Sequence, residues 1–544
     1  MERRTRVLRA TSMGILCAGL AVALLSGCGS DSPAATMATS NARGTLIEDP
    51  PLRIASLDAA AFAQQLGASP SGEQLLVLAG QPACGVDFYE FQYWTVGAKG
   101  EPATASGALM VPTGAASCSG GRPIVLYAHG TTPDKTYNIA DVTNPANTEG
   151  ALVAAVFAAQ GYIVVAPNYA GYDTSTLPYH PFLNADQQSK DLIDALAAAR
   201  AALPHSFTPQ TTDGGKLFVT GYSEGGYVAM ATVRALALAC APPVTCSSAV
   251  SHVTASAPMS GPYALEAEFD AEFFGNVPIG ATIFAPLVTA SYQQAYGNIY
   301  QNTTDIYEPQ YAANIQSLLP SATPIGTLFQ EGKLPQTAFF SSTTPIVPGN
   351  PLLTQALAIP VNNPVGALGF GPNNLVTNDY RVAYAADAAL NPDGATQAPQ
   401  LQMQPPQIPP PSSVQLAVNP QNTLRIALKT NDMRTVPAGV PIPLWTPTSP
   451  MLLCGGDEDP TVFFGLNTLT MAAYWTGLPT GLVTVLDVNA PPGPGDPFAP
   501  VQAGFEQTLQ GQIASEGLQA AIASYHGTVA PFCTVAARAF FSQF

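Results

Sequence analysis

The sequence predicts an α/β protein with a mostly parallel sheet of eight strands, helices on both faces and a large insertion, and three observations carry this. Short apolar runs at 123–128 (PIVLYA), 162–166 (YIVVA), 216–220 and 250–257 alternate with helical stretches at 151–160, 185–203 and 225–238. Strands that alternate with helices of about 10–15 residues pair in parallel through helical crossovers. Ahead of them, 86–96 and 104–112 are rich in aromatic and β-branched residues and flank Gly97-Ala98-Lys99-Gly100, a hairpin signal. Finally, the hexapeptide G-Y-S-E-G-G at 221–226 stands where a strand gives way to a helix.

The chain opens with Arg3, Arg4, Arg6 and Arg9, followed by an apolar stretch at 13–25 and then Leu25-Ser26-Gly27-Cys28. This is the pattern of a secretion signal, and the apolar stretch is too short to span a bilayer, which needs about 20 residues. The ending resembles the lipobox of bacterial lipoproteins, which implies acylation at Cys28. Gly29 at the next position implies outer-membrane sorting, again by that resemblance. The alternative is an ordinary cleaved signal, leaving a secreted or periplasmic protein. Residues 1–28 are therefore read as signal, 29–83 as tether and N-terminal segment, 84–262 and 423–544 as the core, and 263–422 as an inserted cap.

Beyond the signal, six cysteines remain: Cys84, Cys118, Cys240, Cys246, Cys454 and Cys533. An even set in an exported chain predicts disulfides. The expected pairs are Cys84 with Cys118, Cys240 with Cys246, and Cys454 with Cys533. The precursor carries a net charge of −17, and loss of four arginines and Glu2 leaves 15 basic against 35 acidic side chains. A chain this acidic repels nucleic acid and anionic polymers, so the expected partner is a neutral small or lipid-like molecule.

With 31 serines and 47 glycines in 544 residues, chance alone yields about 0.2 copies of G-x-S-x-G, so position must decide what the motif does. Here it occupies a strand-to-helix corner, and a parallel sheet opens its ligand crevice at the carboxyl ends of its strands. Ser223 is thereby the candidate nucleophile, with Gly221 and Gly225 removing side chains from a tight turn.

A serine needs a base and a carboxylate to orient that base. The histidines are His129, His180, His205, His252 and His526, and in the order Ser, acid, His only the last two follow Ser223. His252 reads as a packed residue of the following strand. His526 reads as a loop residue between a helix at 506–524 and a terminal helix, and becomes the candidate base. The candidate acid is Asp459, in the turn Gly455-Gly456-Asp457-Glu458-Asp459-Pro460 beyond the strand at 450–454. Asp457 is the alternative, while Asp487 would leave no strand before His526. No metal or organic cofactor is expected for such a group.

Together A-H-G-T (128–131), P-N-Y-A-G-Y (167–172), G-Y-S-E-G-G, the G-x-x-D turn at Asp459 and His526-Gly527 resemble the α/β-hydrolase family. The likeness is nearest to secreted lipases and esterases with a large inserted lid, such as the fungal secretory lipase group. The resemblance implies serine ester hydrolysis through an acyl-enzyme, with oxyanion donors at the backbone N–H groups of Thr131 and Glu224. It implies a structural role for His129 and an exposed side chain for Glu224. It also makes 263–422 a cap whose Phe273, Phe274, Phe284, Leu287, Phe339 and Phe340 line an acyl pocket or form the cap's own core. The stretch at 404–411 (QPPQIPPP) is expected to be extended and polyproline-like. Two rival expectations stand beside this: a serine peptidase of prolyl-oligopeptidase type, and a lipoprotein that binds an apolar ligand without catalysis.

Overall fold

Strands β1 (Leu52–Leu57), β2 (Gly85–Val96), β3 (Pro102–Thr113), β4 (Gly120–Ala128), β5 (Ile163–Pro167), β6 (Thr211–Tyr222) and β7 (Ala255–Met259) follow one another along the first half of the chain. The short β8 (Phe340–Ser341) and β9 (Phe370–Gly371) pair with each other, and β10 (Met451–Gly455) and β11 (Val483–Asp487) return to the main sheet. They belong to a computed structural model that describes residues 41–544 except 207, 209, 241–250, 439 and 441–443. The expected signal, Cys28 and most of the tether lie outside the described residues.

The main sheet has nine strands among the described residues, ordered β1-β2-β3-β5-β4-β6-β7-β10-β11. From β5 across to β11 all neighbours are parallel, whereas β1, β2 and β3 join as antiparallel partners at one side. The hairpin read at 86–112 is this β2–β3 pair. The ninth strand, unread in the sequence, is β1, none of whose residues is buried. By contrast β5, β7 and β10 are buried at every position, as parallel strands covered on both faces must be.

Alternation along the strands sorts the core into two layers. Ile124, Leu126, Ile163 and Val165 face Leu192, Leu196, Val228 and Val233 of the helices Ala185–Ala202 and Glu224–Leu238. Val125, Tyr127, Val164 and Phe218 face Val153 of the helix Thr148–Val156, and Phe532 and Phe541 of the terminal helix Leu518–Phe541. Burying each such side chain contributes about 1.5–3 kcal/mol, so the two layers hold the strand ends in fixed register. Asn184 caps the helix Ala185–Ala202 by accepting the Gln187 N–H, which fixes where the preceding loop ends.

Two disulfides are in place as expected. Cys84–Cys118 staples the start of β2 to the turn before β4, and Cys454–Cys533 staples β10 to the terminal helix. Cys240 is also disulfide-bonded, and its expected partner Cys246 lies outside the described residues.

Between β7 and β10 the chain forms mainly helices, including Leu265–Phe273, Ala281–Tyr296 and Asn378–Leu390. The first is buried throughout although it carries Glu266, Glu268, Asp270 and Glu272. Arg425, on the helix Thr423–Asn431, accounts for part of this: it donates to both oxygens of Asp270 at 2.9 and 2.8 Å and to Asp387 at 2.9 Å. Arg434 likewise bridges Asp393 and Asp432. Buried charges persist only when so paired, and these pairs tie the inserted segment to the chain that re-enters the core. Pro410 is extended (φ −62°, ψ 147°) as its sequence suggests, yet Gln407 N–H donates back to Gln400 O, so 404–411 folds onto its neighbours.

Candidate active site

Ser223 sits at the tip of the β6-to-helix corner with φ 60° and ψ −124°. A non-glycine residue adopts that conformation only when its surroundings hold it there. Its own N–H donates to Met259 O at 3.0 Å, and the helix begins at once with Glu224. The glycines explain how the corner closes. A Cβ on Gly225 would lie 1.9 Å from Ala128 O, one on Gly221 2.4 Å from Gly225 O, and one on Gly226 2.2 Å from Met259 O. Any larger residue would push β4, β7 and the helix apart.

The candidate base approaches from an element the sequence misassigned. His526 lies within the helix Leu518–Phe541, and the helix read at 506–524 is in fact two, Ala499–Glu516 and Leu518–Phe541, separated at Gly517 with φ 88°. Gly527 and Pro531 look like helix breakers, but Pro531 removes only one hydrogen bond and the helix runs on through both. Tyr222, next to Ser223, donates its hydroxyl to the His526 carbonyl and packs its ring 4.9 Å from the imidazole. That tyrosine, inside the motif, has a role that sequence reasoning missed.

His526 Nε2 is 2.9 Å from Ser223 Oγ and Nδ1 is 2.6 Å from Asp459 Oδ2. A carboxylate only accepts, so Nδ1 carries hydrogen and Nε2 is free to accept from the serine. Asp459 is held in turn by Thr461 N–H at 2.9 Å and Val462 N–H at 3.2 Å on its other oxygen, and its side chain is 1% exposed. The alternative Asp457 instead accepts from Asn489 Nδ2 at 2.7 Å. Asp487 accepts the N–H groups of Asp457 and Asn489, and burial together with the Asp457 charge pushes its carboxyl up to about 7. Gly456 lets the turn of Asp459 meet the helix of His526, since a Cβ there would stand 2.6 Å from the Tyr525 hydroxyl.

Thr131 follows β4 on a segment that runs past Ser223: a Cβ on Gly130 would be 3.6 Å from Ser223 Cβ. Among the described residues, no acceptor takes the N–H of Thr131 or of Glu224. His129 is fully buried, with Nδ1 2.7 Å from Gly130 O and Nε2 3.2 Å from Asn168 O, so it braces backbone. The Glu224 side chain is not exposed, contrary to expectation. It turns under the corner, where its Oε1 lies 2.7 Å from both His180 Nε2 and Gln188 Nε2. His252 also differs from the sequence reading: it is exposed and precedes β7, which starts at Ala255.

Beside Asp459 opens a cavity of about 630 Å³, lined in part by Phe274, Val277, Phe463, Phe464 and Asp459. Of the six apolar residues singled out in the insertion, Phe274 reaches it. Phe273, Phe339 and Phe340 pack on one another, Leu287 is buried in the core, and Phe284 stacks on Phe182. Glu268 lies near this turn, accepting from Phe463 N–H and from Asn467 Nδ2 at 2.5 Å, and burial pushes its carboxyl up to about 8.

Residues 150–241 match the model of the prolyl oligopeptidase family. No curated protein sequence matches the chain. Among solved structures, the chain is similar to the rice cell wall degrading esterase LipA from Xanthomonas oryzae in a ligand-bound form, at 25% identity and a TM-score of 0.61 over 91% of this chain and 98% of that one. Another structure of that esterase matches at 26% identity and a TM-score of 0.58, over 89% and 97% of the two chains. A protein from Legionella pneumophila, at 18% identity, shares the fold with a TM-score of 0.58 over 92% and 97%. With its sheet order, its glycine-lined serine corner and these likenesses, the chain is a serine hydrolase of the α/β-hydrolase fold.

Proposed function

We propose that the protein hydrolyses carboxylic esters through Ser223, His526 and Asp459. The observation that carries this reading is the unbroken line of contacts from hydroxyl to imidazole to carboxylate, 2.9 and 2.6 Å. His526 removes the Ser223 proton as the oxygen attacks the ester carbonyl, and Asp459 holds the imidazole tautomer and stabilises its charged form. The N–H groups of Thr131 and Glu224 receive the oxyanion, the second at a helix N-terminus. His526 then gives its proton to the departing alcohol, and a water activated by the same base releases the acid. No step calls for a metal or organic cofactor.

The segment 263–422 acts in this reading as a cap, and the cavity beside Asp459 admits part of a neutral, lipid-like or aryl ester. Export fits the disulfides, and Cys28 anchors the chain to the outer membrane through lipid. Since the similar LipA is a cell wall degrading esterase, esters of plant wall polymers are the first natural substrates to try.

A peptidase is the second reading, favoured by the match of 150–241 to the prolyl oligopeptidase family. Parallel assays with nitrophenyl esters of graded acyl length and with prolyl peptide amides separate the two. Ester turnover that dominates and vanishes in Ser223→Ala supports the proposal; dominant amide cleavage rejects it.

A further inference from the structure

The loop at 168–184, which begins with the N-Y-A-G-Y of P-N-Y-A-G-Y, touches both segments that carry the proposed oxyanion donors. Tyr169 donates its hydroxyl to His129 O at 2.9 Å, and Tyr172 donates to Thr132 O at 2.7 Å, so the carbonyls two residues before and one after Thr131 are both held. His180, from the same loop, reaches Glu224 on the other side. Three non-glycine residues of this loop, Tyr169, Asp173 and Leu183, have positive φ, so the chain bends here against its local preference to make these contacts.

The Glu224 carboxylate lies directly under the corner, one residue past the nucleophile, and its charge opposes an oxyanion forming above it. Its Oε1 receives two N–H donors, His180 Nε2 and Gln188 Nε2, while Oε2 has no partner among the described residues. His180 Nδ1 faces Ala170 O at 3.0 Å, an atom that only accepts, so that nitrogen also carries hydrogen. An oxygen thus stands opposite each ring nitrogen of His180, and the one at Nε2 belongs to the Glu224 carboxylate. Both side chains are 0% exposed, and water therefore screens neither. The rings of Tyr169 and Tyr172 pack against the imidazole at 5.6 and 4.6 Å between centroids. A second buried carboxylate, Glu149, accepts the Gly130 N–H at 3.0 Å and adds to the negative charge near Glu224.

We propose that His180 is a positioning residue of the oxyanion site: it pins the Glu224 carboxylate beneath the corner and cancels its charge. The Glu224 N–H is thereby left oriented toward a forming oxyanion. The inference rests on the serine-hydrolase mechanism proposed above and extends it to residues that never touch substrate.

The test compares wild type with His180→Gln, Glu224→Gln and the double variant on one nitrophenyl ester. His180→Gln leaves an uncompensated carboxylate, and its kcat is expected to fall about 10–100-fold with KM within about twofold. Glu224→Gln removes the charge and costs about threefold or less. The double variant is expected to recover to within about fivefold of Glu224→Gln, a rescue that a purely structural histidine would not give. A double variant no faster than His180→Gln, or a loss confined to KM, overturns the proposal. Should His180→Gln not fold, Tyr172→Phe removes a single hydroxyl from the same loop. A several-fold fall in kcat at an unchanged thermal midpoint supports the loop's role, and an unchanged kcat overturns it. Wild type without ester turnover or Ser223 acylation would instead defeat the underlying mechanism, which keeps the two failures distinct.

Discussion

Cys454 and Cys533 join the strand that leads into Asp459 to the helix that carries His526. Asp459 and His526 thus share one covalent brace across 79 residues of sequence. Closing a loop of that length stabilises by about 4–5 kcal/mol in the chain-entropy model. Replacing both cysteines by alanine is expected to lower stability by up to that amount, measured by denaturant titration. It should also lower kcat at temperatures where the variant stays folded, because the His526–Asp459 contact loosens. Stability and turnover both equal to wild type would show that the brace does neither job.

The serine corner should tolerate no added carbon. Gly225→Ala places a methyl 1.9 Å from Ala128 O, and Gly226→Ala one 2.2 Å from Met259 O. Each is expected to destabilise by at least about 1–3 kcal/mol and to abolish most activity, read by thermal melting and ester turnover. Gly477→Ala is the informative contrast. Its φ of 96° is left-handed, unlike theirs, but no atom stands within 4 Å of its added Cβ, so it should cost only backbone strain.

Arg425 holds the inserted segment through Asp270 and Asp387 with its guanidinium wholly buried. Arg425→Met leaves those carboxylates unpaired and is expected to cost about 3–5 kcal/mol. Burial already pushes the Asp270 carboxyl up to about 6 despite the arginine. Adding Asp270→Asn should therefore recover part of the loss, and a thermodynamic cycle over the four proteins measures how much.

Glu268 makes stability depend on pH with a definite sign. Burial raises its carboxyl from 4.5 to about 8, so the folded chain keeps a proton that the unfolded chain releases. Its contribution is full below about pH 4.5 and declines toward pH 8, at no more than about 1.4 kcal/mol per pH unit. Glu268→Gln should flatten that part of the profile and make the protein more stable than wild type at pH 8. An unchanged slope would contradict this assignment.

Much of the fold can be read from the chain because its central strands are apolar on both faces and its helices lie between them. Ser223 is legible from a motif in a strand-to-helix context, and Asp459 from the turn beyond β10. His526 emerges from a census of five histidines, but its helix does not: Gly527 and Pro531 mimic a loop, and only packing against β10 and Tyr222 outweighs them. β1 escapes notice because none of its residues is buried. The burial of Glu224 is equally hidden. A glutamate in the first turn of a helix ordinarily faces solvent, and its partner His180 is 44 residues away.

The central claim is that Ser223 is activated by His526, and covalent labelling tests it most directly. A fluorophosphonate followed by peptide mass mapping should give one adduct, on Ser223. Labelling should slow by about three orders of magnitude or more in His526→Ala. A folded wild type left unlabelled, an adduct on another residue, or equal labelling rates in His526→Ala would contradict it.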